Sequence, residues 1–285
     1  MYYRYKSRKR NRGITKILFI AMLAALVLYV PYHFRSYLLF WKYSVSKLEQ
    51  KVLDAASQTD SNERTRRLLE LKDNSRQHKA ENQLSADAFL TSGRVHFLLG
   101  EQYMPGSFSE IMMHDFSEGI DPRARKAFLT TIRDIRKGIE LVSGEEKSVH
   151  YLALAKAAYY TNFYPLPEII NVLSKVKNIE SLPDREDIRF CAFMHIISGD
   201  ADGGIELLNK SDKAISGIEG TMFLAASEMR AKRYTNAIIR YKQVLEKTAE
   251  PRMVKLARVS LGKIYFTQTL YLESQDQFSK ALDAD

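Results

Sequence analysis

Several things are scarce in this 285-residue chain, and each scarcity excludes something. Cys191 is the only cysteine, so no intrachain disulfide can form and the fold must hold itself by packing. Residues 32–92 contain neither glycine nor proline, the two residues that most often punctuate helices with turns. No window alternates apolar and polar residues between turn signals, so no strand is expected. No HExxH, no Walker loop, no G-x-G-x-x-G and no G-x-S-x-G occurs, and with them goes every familiar catalytic constellation. The first 42 residues contain no acid at all.

That last absence locates the charge. Arg4, Lys6, Arg8, Lys9, Arg10, Arg12, Lys16, Arg35 and Lys42 account for the whole net charge of +9. The 34 Lys and Arg that follow are matched by 34 Asp and Glu. A body without excess positive charge lacks the phosphate-neutralising field that dominates nucleic-acid affinity, so no nucleic-acid partner is expected.

The basic arm, residues 1–16, leads into residues 17–34, "ILFIAMLAALVLYVPYHF", eighteen residues without a charge. Tyr37, Phe40 and Trp41 follow. A bilayer core takes about 20 apolar residues in a helix. The run suffices if Lys16 and Arg35 extend to the interface, where the aromatic residues also sit. The cationic bias before it keeps the N-terminus in the cytoplasm, so residues 17–42 read as a single-pass anchor with the remainder translocated. The rival is a cleaved signal peptide, against which stand the alanines inside the run and the bulky Pro31-Tyr32-His33-Phe34 at its end. Export without disulfides favours a bacterial inner membrane, with the C-terminal body in the periplasm.

Residues 43–84 are polar and free of glycine and proline, and Val45, Leu48, Val52 and Ala56 form a helical stripe there. They read as a helical stalk or a solvated linker. From residue 85 onward, apolar clusters recur every three or four residues, so the body is expected to be all-α. Tyr234, Ala237, Ile238, Tyr241, Val244 and Leu245 share one helical stripe. Tyr271, Ser274, Phe278, Ala281 and Leu282 repeat it. The small residues Gly204, Ala237 and Ser274 stand 33 and 37 positions apart. This pattern resembles the tetratricopeptide repeat, whose period is 34 residues and whose helix pairs cross at small side chains.

The last repeat matches best, through Leu261, Gly262, Tyr265, Phe278 and Ala281. The repeat before it departs at Ala225 and Glu228, where the family has Gly and an aromatic residue. Upstream, Pro165 and Pro167 interrupt a turn, and "FLTSGRVHFLLG" (residues 89–100) reads as a first helix with Gly100 at its turn. Residues 101–136 fit no repeat. The resemblance implies a solenoid of antiparallel helix pairs over residues 85–285, with a concave groove lined by first helices. The matching positions are Arg189, Phe193, Met222, Met229, Arg230, Lys263 and Phe266, which suit an amphipathic helix or extended peptide. Packing against neighbouring helices is the alternative for the same side chains.

Chemistry finds little purchase. His114 and Glu118 are one helical turn apart, but a metal site needs three or four ligands, so no metal and no cofactor is expected. "GDADGG" (residues 199–204) opens like a calcium loop, yet Ile205 and Ser211 fall where Gly and Glu belong. Cys191 sits at a packing position. The expected function is protein binding: a membrane-anchored scaffold or assembly factor, similar to translocon-associated chaperones or flagellar-motor collar components. The partners would be other proteins or a second copy. An organelle-type import receptor with cytosolic repeats and a diverged enzyme are the alternatives. Only residues 283–285 follow the last helix, so Tyr271, Gln275, Phe278 and Leu282 are expected to form a docking face unless polar neighbours cover it.

The anchor has a direct consequence. Carbonate-washed membranes should retain the full-length chain, and its recovery in the soluble fraction would rule the anchor out.

Overall fold

The computed structural model describes residues 45–113, 120–141 and 148–284, and all the regular structure among them is helical. The basic arm and the anchor lie outside the described residues, and among those described no helix is long and apolar enough to cross a membrane. The His114–Glu118 pair also lies outside them.

The segment expected as a stalk forms α1 (Val45–Ala56) and α2 (Ser61–Glu81), with Asp60 capping α2 by accepting from the amides of Asn62 and Glu63. Neither stands apart. Leu48, Val52 and Ala55 of α1 and Leu68 and Leu71 of α2 are buried. All but Leu48 join a cluster with Val95 and Leu99 of α3 (Ala86–Gln102). The few apolar residues of this polar stretch fall on one face, which is enough to seat both helices.

α3 packs most extensively on α5 (Pro122–Leu141), although α4 (Phe108–Met113) lies between them in the chain. Gly100 is not at a turn but buried inside α3, where an added Cβ would come within 2.4 Å of the Phe128 ring. The glycine is there because an aromatic ring from α5 crosses over it. α4 drives Phe108 into the centre of the molecule, with ring centroids 5.2 Å from Phe190, 5.7 Å from Phe193 and 6.2 Å from Phe223.

The remaining helices follow in close succession: α6 (Ser148–Thr161), α7 (Leu166–Leu173), α8 (Arg185–Ile197), α9 (Ala201–Lys210), α10 (Asp212–Ile215), α11 (Gly217–Arg230), α12 (Tyr234–Lys247), α13 (Pro251–Thr267) and α14 (Tyr271–Leu282). A short 3₁₀ turn, Ile179–Ser181, precedes α8. Pro165 and Pro167 do not break the chain; they start α7, at positions where a missing amide costs nothing. The turns after α6, α8, α11 and α13 share one backbone form. Asn162, Gly199, Lys232 and Thr269 each take a left-handed φ, of 51°, 101°, 58° and 63°. The next amide then bonds back to the carbonyl five residues before it: Phe163 to Ala158, Asp200 to His195, Arg233 to Glu228 and Leu270 to Tyr265. This closes four helices in the Schellman manner.

After each of the last three turns the helices cross at a small side chain. A Cβ on Gly204 would meet the Ala192 carbonyl at 2.6 Å. Ala237 is completely buried among Met222, Ala225 and Tyr241. Ser274 is buried too, and its hydroxyl donates to the Gly262 carbonyl at 2.9 Å. Overpacking such a site costs about 1–3 kcal/mol. Ala237→Leu should therefore lower the unfolding free energy measured in urea by that amount, while Lys242→Leu on the exposed side of the same helix should not.

Candidate functional site

The candidate groove residues separate into two groups. Arg189, Phe193 and Met222 are buried, so these three pack in the interior and do not line an open surface. Met229 is half-buried, and Arg230, Lys263 and Phe266 are exposed. Arg230 bridges the groups, its guanidinium lying 5.3 Å from the centre of the Phe193 ring.

At the C-terminal end the two sets of candidates meet. Phe266 of α13 and Tyr271 of α14 stack edge to face at 5.6 Å across the turn that joins their helices. Both rings stay open to solvent, 61% and 60% exposed. Leu270 and Leu272, next to Tyr271 in the chain, are exposed as well, as is Leu282 at the far end of α14. Phe278 is divided: one edge covers Gly262, where a Cβ would fall within 2.6 Å, and the rest faces outward. Gln275 is exposed on the same helix. Solitary exposed apolar residues are ordinary, but this many within residues 266–282 is not.

Two buried cations hold charge centres inside the described part of the molecule, and neither centre was anticipated from sequence. Arg189 is the first. Its Nε donates to the Ala214 carbonyl at 2.8 Å, and its Nη1 reaches Glu186 at 2.6 Å, Ser109 at 2.9 Å and Glu219 at 3.0 Å. Ser109 in turn donates its amide and hydroxyl to the other Glu186 oxygen, at 2.8 and 2.7 Å. One guanidinium thus joins α4, α8, α10 and α11. The Phe223 ring covers it at 5.4 Å.

Lys156 is the second centre. It sits within "YLALAKAAYY" (residues 151–160), and a lone cation in so apolar a run was the signal for it. Its ammonium contacts Glu101 at 2.6 Å and Asp187 at 2.9 Å, with the Phe97 ring 5.2 Å away. Burial opposes its charge, but the two carboxylates outweigh burial and hold its pKa well above the usual lysine value. Burial also raises the Asp187 carboxyl, against the pull of Lys156.

Other candidates have structural explanations. Asp200 caps α9 through the Gly203 amide at 3.0 Å and accepts from or pairs with His195 Nδ1 at 2.9 Å. Glu228, standing where the family has an aromatic residue, is buried with both oxygens 3.0 Å from Arg240 Nε. Cys191 is fully buried, and burial pushes its thiol up to about 12, so little nucleophilic thiolate forms at neutral pH. Among the described residues no group of three or more metal-ligating side chains gathers.

A scan against protein-family models finds no match, and no curated protein matches the chain either.

Removing one member of a buried ion pair leaves the other charge stranded, at a cost of about 3–5 kcal/mol. Lys156→Met should lose stability on that scale in urea unfolding. Lys156→Met combined with Glu101→Gln and Asp187→Asn should recover most of it, because no stranded charge remains.

Proposed function

We propose that this chain is a scaffold or assembly factor held in an inner membrane by residues 17–42. In this reading its helical body, a solenoid of antiparallel pairs similar to the tetratricopeptide repeat, faces the periplasm and binds other proteins. The repeated left-handed turns at positions 162, 199, 232 and 269 support the solenoid, since their spacings of 37, 33 and 37 residues bracket the family's period. Gly204, Ala237 and Ser274 follow the last three at a constant five residues. The helical structure of the described residues and the buried ion centres agree with a binding module, whose task is to hold a surface rigid.

The observation that carries the binding reading is the open aromatic edge formed by Phe266 and Tyr271. Large apolar groups left in water on a rigid helix pair are what a partner's amphipathic helix covers. The groove of the earlier reading narrows accordingly, to Met229, Arg230, Lys263 and Phe266, and it runs into the C-terminal face at Tyr271. An envelope machine is the setting that best fits a membrane-anchored binding module of this kind.

A cysteine placed at Gln275, in a Cys191→Ser background, tests the face in native membranes. Crosslinks to one defined protein or to a second copy are expected, and Tyr271→Asp should suppress them. Crosslinking no stronger than from a cysteine at Asn171, exposed on α7, would end the proposal.

A further inference from the structure

The second half of α2, the first half of α3 and the whole of α5 enclose a cleft of about 1170 Å³. α2 contributes Lys72, Arg76 and Lys79 to its walls. α5 contributes Lys126, Arg133, Arg136 and Lys137. Among the described residues only two carboxylates line it, and one of them is already committed: Asp134 is buried, with Lys79 at 2.5 Å, Ser92 at 2.7 Å and Arg133 at 3.0 Å. Glu140 lies 3.5 Å from Lys137. Lys72, Arg76 and Lys126 have no ion-pair partner among the described residues. A body whose charges balance overall therefore gathers a strong local excess of positive charge in one concavity.

The helix directions say which way this cleft faces. Lys79, near the end of α2, lies 5.7 Å from the Phe89 ring near the start of α3, and Gln102 at the end of α3 reaches Ser61 at the start of α2. The two helices run oppositely, and their connection at residues 82–85 is a projecting tip. α1 runs with α3, since Glu49 acts on Arg94 while Val52 and Ala55 share a cluster with Val95 and Leu99. At about 1.5 Å per helical residue, Val45 lies roughly 6 Å back from the level of Glu49 and Arg94. The tip lies roughly 12 Å back or more. The tip thus projects past the point where the chain enters α1. From Lys42, the end of the expected anchor, to Val45 an extended chain covers at most about 10 Å. With the bundle upright and Val45 no more than about 10 Å from the bilayer, the tip, roughly 6 Å beyond Val45, comes within about 4 Å of the bilayer surface.

The tip is built for that position. Leu84 at its apex is 89% exposed. Arg76, Lys79 and Lys137 stand behind it, Lys137 beside Gly138, which packs against Leu90 of α3. Glu81 and Asp87 are also near the tip but do not line the cleft. An apolar apex backed by cations is the arrangement that places a side chain in the interface and basic groups among headgroup phosphates.

We infer that the tip end of the cleft between α2 and α5, at Arg76 and Lys137, binds phosphate headgroups of anionic lipids in the membrane that holds the anchor, with Leu84 entering the interface. The inference rests on the anchor reading. It makes the body a domain standing on the bilayer in a fixed orientation, not one swinging from a tether.

The test uses the full chain reconstituted into vesicles, with a bimane label on Leu84→Cys in a Cys191→Ser background. In vesicles containing about one-third phosphatidylglycerol, the label should shift to the blue and be quenched by headgroup-proximal spin-labelled lipid. In pure phosphatidylcholine it should not. Arg76→Glu with Lys137→Glu should abolish the response, as should salt at about 1 M, where the screening length is about 3 Å. Arg76→Gln with Lys137→Gln should weaken it roughly fivefold per cation removed, and circular dichroism should show all variants equally helical. Quenching equal in both lipids, or unaffected by the charge reversals, would overturn the assignment to headgroups. So would binding of polyglutamate in phosphatidylcholine vesicles that is lost with Arg76→Glu, in the absence of any lipid response; the cleft would then belong to an acidic protein segment. A chain that fails to float with vesicles of either kind refutes the anchor, whereas one that floats with an unresponsive label refutes only the cleft.

Discussion

How closely the helices cross sets the terms for the rest of the structure. Where the Ala192 carbonyl faces Gly204, or the Phe128 ring faces Gly100, the space for even a methyl group is already occupied. Such contacts let large side chains elsewhere on the same helices close over the core without voids, as Phe278 does above Gly262. A larger residue at any crossing would separate the pair along its length and expose the groups that rely on it. The partly exposed aromatic edge at Phe266 and Tyr271 depends on the same crossing, because it is the close approach of α13 and α14 that holds the two rings together.

Apolar packing alone leaves helices free to rotate or slide by small amounts. The buried charges remove that freedom. Arg189 connects Ser109, Glu186, Ala214 and Glu219, and each bond has a direction that a greasy contact lacks. Lys156 does the same for α3 and α8 from its position in α6. Replacing such centres by well-packed apolar groups is often neutral for stability, so their contribution is better sought in the uniqueness of the arrangement. For a protein that presents a surface, a single arrangement is what matters.

Helical content and the crossings near Gly204, Ala237 and Ser274 were legible in the sequence because they depend on spacing within a short window. What was not legible depends on residues far apart. Arg189 looked like a groove residue since a long polar side chain on a first helix usually is one; its partners Ser109 and Glu219 lie 80 and 30 positions away. The pairing of α3 with α5 was hidden by the residues between them, which break the repeat period and insert Phe108 into the core instead. The polar stretch at residues 57–83 read as a spacer because two buried leucines, Leu68 and Leu71, are a weak signal until Val95 and Leu99 are seen to face them. The basic cleft vanished into a neutral total, since its cations come from two helices separated in sequence by α3 and α4.

The four left-handed turns bear on the order in which the chain assembles. Only one of them has glycine at the left-handed position; Asn162, Lys232 and Thr269 occupy the others. For a β-branched residue such as Thr269, that backbone region is scarcely visited in an unfolded chain. The bend after α13 therefore cannot act as a local seed that brings its two helices together. The helices must find each other first, through Gly262, Ser274 and Phe278, and the strained link closes once they have met. The joint at Thr269 is then a latch, set by its neighbours and released when they part.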